Sequence, residues 1–206
     1  AEAYPPQDRW IAFEADRPAG AWAHRRPGLD VVVPFVGTTR SHYLPAPADP
    51  GTFEVPVDRD LPTWTPLVVD HLRRFTAGGL PASVAVDPGS VTARWDGLPV
   101  SGRGLDGDDP GPPLGGTRTA SLSVEGRSLV LRDHLVIDRP PVAVGTAIAE
   151  AAGRPLRVEW EVDGGTATTV EVAGLKEWRS FWSDLPRVHQ VDLDPAAELR
   201  YAARVT

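Results

Sequence analysis

Proline and glycine recur between short, β-like runs along the whole of this 206-residue chain, 22 of the first and 20 of the second. Proline lacks a backbone donor and breaks helices, while glycine supplies turn conformations closed to other residues. A chain punctuated this densely favours short strands joined by turns. The runs between the breaks agree, because many alternate apolar with polar residues, the period of a half-buried strand.

Taken in order, RWIAFEA and AWAHRR flank DRPAG and read as a hairpin with a longer loop, in which Trp10 and Trp22 face each other. LDVVVPFV is a β-branched run in which Pro34 marks an edge or a bulge. TFEVPV, WTPLVVD, ASVAVD and SVTARW follow, the last with Val91, Ala93 and Trp95 in register. TRTASLSV and RSLVLRDHLVI around EG form the clearest hairpin. PLRVEWEV and TATTVEV around DGG form another, with the glycine pair supplying positive φ. VHQVDL and LRYAARVT make a final pair. AVGTAIAEAAG is rich in alanine, yet Val142, Val144, Thr146 and Ile148 alternate, which favours a strand. One helix is expected near residues 174–185, where Leu175, Trp178, Phe181, Trp182 and Leu185 share a stripe and Pro186 ends it.

The expected fold is therefore all-β: an antiparallel β-sandwich of about twelve strands with that one short helix. Residues 1–206 read as a single domain. The stretch SGRGLDGDDPGPPLGG, residues 101–116, has no hydrophobic periodicity and reads as a surface loop where two sheets or two subdomains could meet. The absence of methionine, and an end at LRYAARVT within a strand-like run, suggest a domain excised from a longer protein.

Composition excludes several chemistries. There is no cysteine, so disulfides, thiolate metal sites and cysteine nucleophiles are ruled out. No apolar run approaches the roughly 20 residues of a membrane helix, and AEAYPPQDRW lacks the basic start and apolar core of a signal peptide. A soluble protein of open compartment, with no membrane partner, is expected. The net charge is −7 and the arginines are scattered among acids, which argues against nucleic acid. Gly102, Gly104 and Gly107 spell a dinucleotide-binding spacing, but DDPGPPLGG cannot open the helix that would receive the pyrophosphate. No hydrolase signature or paired histidines occur, and Asp106, Asp108 and Asp109 lack calcium-loop spacing. Neither a cofactor nor a metal is expected.

One loop, GTTRSHYLPAPADPG, sets Arg40, His42 and Tyr43 together and then stiffens the chain with proline. Arginine holds carboxylates bidentately, histidine transfers protons near neutrality, and tyrosine serves as acid or base when a cation lies near. These are the groups of a site for an acidic sugar. Trp64 lies near that loop in the sequence and, with Trp22, is a candidate platform for a sugar ring, core packing being the alternative for each. The substrate-binding candidates are Arg40, His42, Tyr43 and Trp64.

The second half resembles the C-terminal β-sandwich of heparinase II/III-like polysaccharide lyases. The likeness spans roughly residues 90–165 and is carried by RTASLSVEGRSLVLRDHLVI with its Arg132–Asp133 pair, by VTARWDGL and by RPLRVEWEV. In that family the sandwich packs on an α-helical toroid that supplies most catalytic groups. The resemblance implies an accessory domain of a carbohydrate-active enzyme, inactive alone, whose partners are a carbohydrate, uronate-containing or not, and a helical catalytic domain. An autonomous enzyme acting on an acidic sugar and a purely structural or protein-binding sandwich stand as alternatives.

Overall fold

The computed structural model describes residues 7–26, 29–35, 42–45, 54–57, 66–71, 73–76, 80–98, 112–150, 155–171 and 187–206. Among these residues there are sixteen strands and no helix. The first eight are β1 (Gln7–Ala12), β2 (Gly20–Arg26), β3 (Leu29–Phe35), β4 (His42–Pro45), β5 (Glu54–Val57), β6 (Leu67–Asp70), β7 (Arg73–Thr76) and β8 (Ser83–Asp87). The second eight are β9 (Ser90–Leu98), β10 (Leu114–Glu125), β11 (Ser128–Ile137), β12 (Ala143–Glu150), β13 (Val158–Val162), β14 (Gly165–Glu171), β15 (Arg187–Leu193) and β16 (Glu198–Val205). The helix expected near 174–185 lies outside the described residues.

A six-stranded sheet, β13-β16-β11-β10-β9-β8, faces a five-stranded sheet, β14-β15-β12-β6-β7, and a three-stranded sheet, β1-β2-β3. β4 and β5 pair as a ribbon of their own, and every pairing is antiparallel. Alternation explains why the sheets stack. On the six-stranded sheet Leu98, Leu114, Leu135 and Leu199 point inward and meet Val68, Val144, Val191 and Leu193 of the five-stranded sheet. Farther along the same face, Val91, Ala93, Leu122 and Leu131 meet Trp22, Val33 and Phe35 of the three-stranded sheet. Each buried Val, Leu or Phe side chain among these contributes about 1.5–3 kcal/mol by leaving water, and Ala93 contributes less. The result is the antiparallel β-sandwich expected from the sequence.

The hairpins separate into two kinds. β1 and β2 pair with Trp10 opposite Trp22, and β10 and β11 pair from Glu125–Ser128 to Gly116–Ile137, as the alternation predicts. The segment around DGG differs: β13 pairs with β16 in one sheet and β14 with β15 in the other. The same holds for β15 and β16. Both connections are corners between layers rather than hairpins. Gly165 shows why this corner needs glycine: its φ is 129°, and a Cβ there would run into the Asp192 carbonyl oxygen. β9 and β10, which flank residues 99–111, are neighbours in the six-stranded sheet, and β10 begins at Leu114, within the stretch read as loop.

The three-stranded sheet is tied down by Asp8. Its carboxylate accepts Trp22 Nε1–H at 2.9 Å and the backbone N–H of Gly89 in the β8–β9 turn. Trp22 is fully buried, so it is core and not an exposed sugar platform. No helix among the described residues is long and apolar enough to cross a membrane.

Candidate functional site

Alternation on β11 sends Arg132 and His134 to the outer face of the six-stranded sheet and Asp133 to its inner face. Cross-strand register then decides their neighbours. Ser121 and Ala202 flank Arg132, while Thr119 and Arg200 flank His134. On the edge strand β13, Glu161 stands opposite Ala202, and Asp163 follows just past the strand. Long side chains surround a small one, and the outcome is an open depression of about 450 Å³ lined by these residues.

The cations around it are already engaged in pairs. Glu125 accepts from Arg132 Nη2 at 3.0 Å and from Arg204 Nη2 at 2.6 Å. Glu198 accepts from Arg200 Nη2 at 2.8 Å and lies 2.9 Å from His134 Nε2. Arg204 and then Arg132 hold the Glu125 carboxyl below its ordinary range; Arg200 and then His134 do the same for Glu198. Glu161 and Asp163 are exposed and have no ion-pair partner among the described residues.

Directly beneath lies a buried polar group. Arg118 holds Asp133 through Nε at 3.0 Å and Nη2 at 2.6 Å, and the Tyr201 hydroxyl donates to the same carboxylate at 3.0 Å. The Arg118 guanidinium also stacks 4.6 Å from the centre of the Trp95 ring. All three are at most 4% exposed. Burial, and then the Asp133 charge, push the Tyr201 hydroxyl well above its ordinary range, so it stays protonated and serves as a donor. This group holds β10, β11 and β16 in register under the depression.

Of the four residues singled out from the sequence, two lie among the described ones. His42 and Tyr43 lie on β4, in register with Val57 and Pro56 of β5. Arg40 and Trp64 lie outside the described residues, so the four are neither assembled nor separated by what is described. Among the described residues no three His, Asp or Glu side chains form a group able to hold a metal. Sequence reading missed the outer-face group. Alternation in SLVLRDHLVI already sets Arg132 and His134 opposite the leucines, and the EG turn sets Ser121 and Thr119 beside them. Arg200 and Glu161 carried no such signal, because β16 and β13 reach β11 through pairings distant in sequence.

No protein-family model and no curated protein matches the chain. A solved structure does resemble it. The crystal structure of 4-alpha-glucanotransferase from Thermococcus litoralis aligns with 98% of this chain at a TM-score of 0.58 and 8% sequence identity. This chain spans 39% of that one. At such identity the likeness is one of fold alone.

Proposed function

We propose that this chain is an accessory, carbohydrate-associated β-sandwich domain of a polysaccharide-degrading enzyme, which helps shape a substrate cleft and docks on a catalytic domain. The observation that carries the reading is the extent of the fold match: nearly all of this chain corresponds to well under half of a larger enzyme whose name places its action on a glucan. The resemblance of residues 90–165 to the sandwich of heparinase II/III-like lyases supports the same role, with a helical catalytic domain as partner. The chemistry of the described residues fits an accessory part. The buried Arg118–Asp133–Tyr201 group is locked in structural hydrogen bonds, and the surface depression offers hydrogen-bonding groups. Phe13, 56% exposed at the end of β1, offers an apolar contact for a neighbouring domain. The segment bearing Arg40, His42 and Tyr43, with Trp64, would add a contact for acidic sugars.

The test is affinity electrophoresis of the 206-residue chain through gels containing neutral or uronate-rich polysaccharides, with a parallel assay for new chain ends. Retardation by a polysaccharide without product formation is expected. Migration unchanged in every gel would contradict the reading. Loss of retardation by uronates in an Arg40→Ala/His42→Ala variant would place the loop in the binding surface.

A further inference from the structure

The open outer-face depression holds about 450 Å³, within the range of about 300–1,000 Å³ that small-molecule sites occupy. Its charges narrow what could enter. Arg132 and Arg200 are each engaged with a glutamate, and His134 lies against the same Glu198 as Arg200. The carboxylates of Glu161 and Asp163 are not engaged among the described residues. An anionic ligand would meet those two carboxylates, and a cationic one would meet the two guanidinium groups. A neutral polyol meets neither difficulty. Its hydroxyls donate to Glu161 and Asp163, and they accept from guanidinium N–H groups left over after the ion pairs, since arginine carries five. The Thr119 and Ser121 hydroxyls both donate and accept. Ala202 leaves the floor low enough for a ring to approach the strand.

We propose that this depression binds a neutral saccharide through its hydroxyl groups, with Glu161 and Asp163 as acceptors and Arg132 and Arg200 as donors. The inference rests on the carbohydrate-associated role above and names its ligand class and position. Recognition would be hydroxyl by hydroxyl, because the described tryptophans nearest the sheet, Trp95 and Trp160, belong to the inner-face clusters.

The experiment is titration calorimetry of the whole chain with neutral, uronate-containing and amino-sugar oligosaccharides, at low and high salt. The variants are Glu161→Gln/Asp163→Asn and, as a control outside the depression, Arg94→Ala. Both acids are exposed, so the double variant should keep its fold, which circular dichroism would check. The expected result is binding of the neutral sugar that hardly changes with salt, falls about tenfold or more in the double variant, and survives in the control; an ionic ligand would weaken as salt screens it. Neutral-sugar binding unaltered by the double variant would overturn the location and leave the carbohydrate role standing. Uronate binding by the unaltered chain that is tighter than neutral-sugar binding, or amino-sugar binding that is tighter and salt-sensitive, would overturn the ligand class. Absence of binding by all three sugars would overturn both this inference and the role it rests on.

Discussion

Asp133 is a carboxylate removed from water, and its surroundings decide whether it stabilises the fold. Arg118 and Tyr201 both donate to it, and Trp95 covers the guanidinium. Replacing Asp133 with Ala leaves the buried Arg118 charge without its partner, a loss of about 3–5 kcal/mol. Tyr201→Phe removes one hydrogen bond to a charged group, about 1.5–3 kcal/mol. Urea denaturation should rank Asp133→Ala below Tyr201→Phe, and equal midpoints would contradict the network. The surface carboxylates act differently. Glu125 and Glu198 have folded pKa values lowered from the ordinary 4.5 by their arginines. An acid with a lowered folded pKa adds stability above its unfolded value and loses it as the pH falls through the folded one. Stability should therefore decline as the pH drops below about 4.5, modestly, because exposed pairs are screened. Glu125→Gln/Glu198→Gln should flatten that acid limb in thermal melts; an equally steep limb would count against the pairing.

At the scale of elements, local hairpins were legible and layer-crossing turns were not. The β10–β11 turn at EG follows from its own residues: Gly126 has φ 61°, the left-handed conformation that other residues enter at a cost. The DGG segment carries a similar signal, yet β13 and β14 part into different sheets. A glycine pair marks a reversal of chain direction and not whether the arms bond to each other. β4 and β7, HYLP and RRFT, have too few residues to show a period. These two glycines give a graded test. Gly126→Ala has open space around its Cβ and should cost about 1–2 kcal/mol from φ alone. Gly165→Ala adds a clash with the Asp192 carbonyl oxygen and should cost more. Denaturation midpoints in the reverse order would argue against the corner at Gly165.

For the whole molecule, the all-β sandwich could be read from punctuation and alternation, since both are local and both recur. The outer-face depression could not, because it is assembled from four strands, two of which join β11 only through long-range pairing. Trp95 was legible for the same reason as the fold: it alternates with Val91 and Ala93, and it joins a buried cluster. The proposed saccharide site lies on the outer face of the six-stranded sheet. An amide nitrogen–proton NMR titration of the isotope-labelled chain with a neutral oligosaccharide tests it most directly. Shifts concentrated at residues 119–121, 132–134, 161–163 and 200–202 are the expected result. Shifts confined to another surface, or no shifts at saturating sugar, would contradict it.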